Sequence, residues 1–209
     1  TLPRINWTAP TAPSGGTITA LLVNSQTNLT FTRAGDYTVR VQSGPTSFSF
    51  SAKVIPTLTS IGLRNAAGRV IVPNSSLTVE GSSLGLSAVG LDQYGKVLET
   101  QPTIAWQASS LPAGGTVSFV NNLNAATATF NRAGAFTLRS QSGTIQADIS
   151  ITVKQTLTSI TLLTPTGTPV SSSSPISVAA SSQRLTVRAV DQFGNTIVAP
   201  PNVTWSTLS

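Results

Sequence analysis

The five residues TLTSI stand at 57–61 and again at 156–160, and the coincidence extends along the whole chain. Displaced by 99 residues, the sequence lies over itself without a gap, and about a third of the paired positions are identical. PRINWTAPTAPSGGT (3–17) falls on PTIAWQASSLPAGGT (102–116), FTRAGDYTVRVQSG (31–44) on FNRAGAFTLRSQSG (130–143), and LSAVGLDQYG (86–95) on LTVRAVDQFG (185–194). A fixed internal period means that a chain is assembled from like units, so any fold proposed for one copy must serve them all. TLTSI opens each copy. The period therefore divides the chain into the later part of one copy (1–56), a full copy (57–155) and the earlier part of a third (156–209).

Within a copy the apolar residues alternate. Ile104, Trp106 and Ala108 interleave with Thr103, Ala105 and Gln107, while Ile145, Ala147, Ile149, Ile151 and Val153 share one face. A period of two is that of half-buried strands, and no window carries a helical stripe. Turn signals come at short intervals: NAAG (65–68), DQYG (92–95), LPAGG (111–115), VNNLN (120–124) and RAG (132–134). They leave seven or eight short strands in roughly 100 residues, the pattern of an all-β, antiparallel sandwich of immunoglobulin-like type, repeated in tandem. Trp106 is then expected at the centre of the core, packed over Phe136 and Leu138 of the opposite sheet.

Composition excludes several functions. Only 9% of residues are charged, well under the usual quarter, so the surface is neutral and rich in hydroxyls, as in exported β-proteins. The net charge of +6 comes from scarce acids. The twelve basic residues never form a run, and phosphate tracking needs clustered charge, so nucleic acid is not an expected partner. No stretch approaches the roughly 20 apolar residues of a membrane helix, and no insertion into a membrane is expected. Without cysteine there are no disulfides, thiolate-metal sites or thiol nucleophiles.

The order of these segments resembles a known group. An opening LTSI strand, an LxAVxxDQxGN hairpin, a PxxxW strand, RAGxF/YT and a closing ISITV strand are similar to the bacterial immunoglobulin-like repeats of invasin and intimin stalks, nearest in flavour to repeats of giant exported planctomycete proteins. The resemblance covers the whole chain. It implies a cell-surface or extracellular stalk, adhesin or fibre module and names no ligand.

Candidate sites fall at matching positions of successive copies. Asp92 and Asp191 open the DQYG and DQFG turns and are the candidate Ca²⁺ ligands. The better account of both is structural: an aspartate at a tight turn accepts backbone N–H groups two or three residues on, and Gly95 or Gly194 supplies the residue with positive φ. A calcium site takes six to eight oxygens, and six dispersed acids are poorly placed to supply them; no cofactor is expected. Trp7, Trp106 and Trp205 occupy one repeat position and read as core aromatics in preference to a sugar-stacking platform. Tyr37 resembles a tyrosine corner, but Phe136 at the same repeat position has no hydroxyl. Gly35 and Gly134 end the two RAG turns. Histidine and cysteine are absent and the acids show no paired spacing, so no enzyme is expected. A Ser–Lys dyad is left open by composition but has no flanking motif. Asn6, Asn28, Asn74 and Asn202 match the glycosylation pattern, as a chain rich in Ser and Thr does by chance. Lys53 and Lys154 are not related by the 99-residue shift, which speaks against a repeated isopeptide bond.

Function is bounded accordingly. Lys154, Gln155 and Thr156 alone separate the last strand of one copy from the first of the next, too few residues for a flexible tether. The expectation is a structural spacer whose partners are the neighbouring repeats, with self-association into fibres or a surface layer. The rival is a binding module that recognises a glycan or protein through end loops, although loops such as SSLPAGG, VNNLN and SSSSP hold no aromatic cluster. Both 1–11 and 199–209 carry the Trp strand, so head-to-tail joining of identical chains would bring two tryptophans to one core slot. The chain therefore reads as a stretch of a longer array.

Overall fold

The structure, a computed structural model, describes residues 4–23, 26–173, 176–179, 181–198 and 202–206. The end of the SSSSP loop and parts of the last Trp segment lie outside the described residues. The chain forms two compact units, one of Thr1–Gly62, Val89–Pro102 and Gly143–Ile145, the other of Leu63–Ala88, Thr103–Ser142 and Gln146–Ser209. Every regular element among the described residues is a strand.

In the first unit β1 (Ile5–Thr11), β4 (Gly35–Ser43) and β5 (Thr46–Val54) form an antiparallel sheet in the order β1-β4-β5, and β2 (Ile18–Val23) pairs with β3 (Gln26–Phe31). Alternation on β4 puts Tyr37 and Val39 in the interior. The Tyr37 ring meets Phe31 edge-on with centroids 4.8 Å apart, and its hydroxyl donates to the Arg33 carbonyl at 3.0 Å. This is the geometry of a tyrosine corner.

The elements of 57–155 are nine strands, where the turn signals predict seven or eight. They are β6 (Leu58–Asn65), β7 (Val70–Ile71), β8 (Ser76–Val79), β9 (Ser83–Asp92), β10 (Ala105–Ser110), β11 (Val117–Asn122), β12 (Ala125–Phe130), β13 (Gly134–Ser142) and β14 (Ile145–Val153). The excess comes from the first strand, which changes sheets. β6 and β7 lie in the sheet ordered β11-β12-β9-β6-β7, whereas β8 runs parallel to β14 in the sheet ordered β10-β13-β14-β8. With β7 and β8 set aside, these orders are D-E-B-A and C-F-G, the two sheets of the immunoglobulin sandwich. The β1–β5 segment supplies C, D, E, F and G in the same sense, and β15 (Leu157–Leu163) with β16 (Thr186–Asp191) supplies A and B.

In the second unit the core is built from Leu63, Ile71, Leu86, Ala126, Ala128 and Phe130 of one sheet and Trp106, Phe136, Leu138, Ile149, Ile151 and Val153 of the other. Trp106 is 7% exposed, but its neighbours differ from those expected. Phe136 and Leu138 lie on β13, the strand paired with Trp106's own β10, where Trp106 faces Ser140 and Ala108 faces Leu138. Strands distant in sequence become neighbours in a Greek key, and alternation alone does not say which sheet a strand joins. The aromatic contact across the sheets is Phe130 against Phe136, edge-on at 4.8 Å, the counterpart of Phe31 and Tyr37.

The other two tryptophans do not repeat the burial of Trp106. Trp7 is half-buried opposite Val41, and Trp205 is 60% exposed and outside any strand, which corrects the expectation of a core residue there. Trp106 is covered on β10, which pairs with β13. Ile160 is 49% exposed, whereas Ile61 at the matching position is buried.

Gly35 and Gly134 have φ of 133° and 145°, and a Cβ on either would come within 2.9 Å of Pro13 or Pro112. The RAG turn therefore needs glycine twice over, for its backbone angle and for the close approach of the proline loop.

Candidate functional site: the DQ turn and the segment it clasps

The two DQ turns are built alike. At the first, the Gly95 N–H donates to the Asp92 carbonyl at 2.9 Å and the Asp92 N–H to the Lys96 carbonyl at 2.8 Å, with Gly95 at φ 72°. At the second, Gly194 (φ 80°) donates to Asp191 and Asp191 to Asn195, at 3.0 and 2.9 Å. Each aspartate is buried, 5% and 2% exposed, and turns its carboxylate back on its own loop. Asp92 Oδ1 accepts the N–H groups of Tyr94 and Lys96 at 2.9 and 2.8 Å, and Asp191 Oδ1 those of Phe193 and Asn195, both at 2.9 Å. The donors are two and four residues on, where two or three was expected. These carboxylates are engaged with backbone, and among the described residues no three acidic, histidine or cysteine side chains gather as a metal site would require.

The residue after each aspartate makes the more informative contacts. The Gln93 amide accepts the Thr57 N–H at 2.8 Å and donates to the Ile55 carbonyl at 2.9 Å. Ninety-nine residues on, Gln192 accepts the Thr156 N–H at 2.7 Å and donates to the Lys154 carbonyl at 2.6 Å. A primary amide carries one acceptor and paired donors side by side. It thus engages C=O of residue i and N–H of residue i+2 as a neighbouring strand would, holding 55–57 and 154–156 extended between β5 and β6 and between β14 and β15.

The repeated TLTSI acquires its physical meaning here. Its first threonine, Thr57 or Thr156, presents the N–H to the glutamine. The second, Thr59 or Thr158, donates its hydroxyl to the carbonyl of Asp92 or Asp191, at 2.8 Å in both copies. At the second clasp the Glu80 carbonyl also accepts the Thr156 hydroxyl at 2.7 Å and Gln192 Nε2 at 3.3 Å, and Lys154 Nζ lies 3.9 Å from Glu80. Sequence reasoning singled out the aspartates and glycines of DQYG and DQFG and missed Gln93 and Gln192. The signal was present, since DQ is identical in both copies, but glutamine carries no turn propensity that would mark it.

Beside each clasp is a cleft. The first, about 520 Å³, is lined by Pro13, Arg33, Pro56, Asp92, Lys96 and Glu99; the second, about 490 Å³, by Arg132, Gln155, Asp191, Asn195 and Val198 among others. Under the shift Lys96 becomes Asn195, Glu99 becomes Val198 and Pro56 becomes Gln155. Gln155 donates to Asp191 Oδ2 at 3.1 Å, a bond that Pro56, with no side-chain donor, does not supply to Asp92.

No protein-family model matches the chain, and no curated protein is similar to it. Solved structures do superpose on it in part. The S-layer protein SbsC does so with a TM-score of 0.36 and 17% identity, over 95% of this chain and 24% of the other. FdeC, an Escherichia coli adhesin, superposes with a TM-score of 0.44 and 16% identity, over 92% of this chain and 62% of the other. For invasin, a bacterial integrin-binding protein, the TM-score is 0.31 and the identity 20%, over 80% of this chain and 36% of the other. The chain thus spans less than two thirds of each of these three, and the strand order, not these partial superpositions, identifies it as an immunoglobulin-like sandwich.

Proposed function

We propose that the chain is a spacer from a bacterial cell-surface or extracellular protein, a tandem series of immunoglobulin-like repeats whose joints are stiffened by a glutamine clasp. One observation carries this reading: the same amide-to-backbone clasp fastens the three-residue segment after β5 and the one after β14, 99 residues apart. With two hydrogen bonds of about 1 kcal/mol each, a clasp opposes bending without contributing much to the fold of either neighbour. Low charge, absence of cysteine and the resemblance to invasin and intimin stalks support the surface location.

Replacing Gln93 and Gln192 by alanine together tests it. The amides of Thr57 and Thr156 should exchange faster, and small-angle scattering should show a broader spread of end-to-end distances at a nearly unchanged melting temperature. An unchanged distance distribution would mean that the clasp does not set stiffness.

A second reading, a binding module, is favoured by one feature. The cleft beside the first clasp carries Lys96 and Glu99 where the second has Asn195 and Val198, and copies that differ in charge at one loop are what a dedicated recognition site would produce.

A further inference from the structure

The two segments that the glutamines clasp differ at their middle residue, Pro56 in the first and Gln155 in the second, and the difference reaches a buried charge. The clefts beside the clasps are framed alike: Arg33, Ala34, Gly35 and Asp92 line the first where Arg132, Ala133, Gly134 and Asp191 line the second. Each aspartate is buried and gives Oδ1 to two N–H groups of its own turn. Their second oxygens part company. Gln155 Nε2 donates to Asp191 Oδ2 at 3.1 Å, whereas among the described residues Asp92 Oδ2 receives no donor.

The extra bond closes a loop of contacts. Gln192 reaches from the turn to the backbone of Lys154 and Thr156, and Gln155, between those two, reaches back to the aspartate of the same turn. The acceptor is a carboxylate, and a hydrogen bond to an ionised group is roughly twice as strong as one between neutral groups. Pro56 works by other means. Its ring fixes φ and biases Ile55 towards extended backbone, so the segment has less freedom to lose when clasped, but it offers nothing to Asp92.

We infer that Gln155 and Asp191 form a latch, present at the second joint and missing from the first, so that successive joints are held by two different devices. One is a side-chain bond that opens and re-forms; the other is a proline whose restriction of the backbone is permanent. The middle residue of each joint segment selects between them. Like the spacer reading, on which it rests, this takes 55–57 and 154–156 as joints, but its test leaves Gln93 and Gln192 in place, so that either can fail without the other.

Amide exchange in the full chain, each rate divided by the intrinsic rate of its local sequence, reads the opening of the joints at Thr57 and Thr156. Gln155→Ala should speed exchange at Thr156 about fivefold or more and leave Thr57 unchanged. Gln155→Glu, nearly the same size, should speed it further at neutral pH because two carboxylates then meet, and Arg132 in that cleft already donates to the Ala113 carbonyl. A role in packing alone would make glutamate the milder change. At the first joint Pro56→Gln should slow exchange at Thr57 relative to Pro56→Ala, since the introduced amide can reach Asp92 Oδ2. Exchange at Thr156 indifferent to both substitutions, a glutamate variant exchanging no faster than the alanine one, or equal rates at Thr57 in the two Pro56 variants would overturn the latch.

Discussion

At the scale of the residue, Trp106 combines deep burial with an orphaned polar atom: its indole N–H is buried and meets no acceptor. The two properties pull in opposite directions. Removing the whole ring, Trp106→Ala, should cost about 3–5 kcal/mol because the cavity between the sheets cannot close. Trp106→Phe retains most of the apolar area and removes the unsatisfied N–H, so its cost should stay below about 1.5 kcal/mol. Urea melts of both variants check the pair; an alanine variant with an unchanged melt would mean that the tryptophan is exposed and would restore the sugar-stacking idea. Burial of Trp106 was legible from alternation alone. Its lateral neighbours were not, because a period of two says which face a side chain takes and nothing about which strand lies next to it.

At the scale of the element, β13 and β14 are joined by a paired ion contact that the first copy lacks. Arg139 Nε and Nη2 donate to the two oxygens of Asp148, both at 2.8 Å. Ser49 stands where Asp148 would, and Arg40 turns to Ser47 at 3.1 Å. The hydrogen bond from Arg139 holds the Asp148 carboxyl below the ordinary carboxylate range. A carboxyl depressed in the folded state binds its proton more readily when unfolded, so its contribution is complete above the unfolded pKa and is lost as pH falls through the folded one. Between neutral pH and strong acid, wild type should therefore lose stability that Asp148→Asn never had, and the two melting curves should converge at the acid end. Curves that stay parallel from pH 7 to pH 2 would show that the pair adds nothing. Such a pair is invisible in one sequence, since Arg139 and Asp148 are nine residues apart with a turn between them, and only the hairpin register brings the charges together.

At the scale of the whole molecule, each turn aspartate spends one carboxylate oxygen, Oδ1, on its own backbone, and among the described residues no cluster of three acidic, histidine or cysteine side chains gathers, so removing divalent ions should leave the melting temperature and the scattering length of the chain unchanged. A rise of many degrees on adding Ca²⁺ would instead reveal linkage to a site that only the folded state offers. The sequence by itself determined the strand class, the period, the turns and the places where glycine is needed, because these follow from alternation and local backbone geometry, which a chain carries in any surroundings. Tertiary structure decided the rest. The first strand divides between two sheets, Phe136 belongs to the sheet of Trp106, and Gln93 and Gln192 reach segments 36 to 38 residues away in sequence. Each depends on which distant strand arrives alongside, which no short stretch of sequence records.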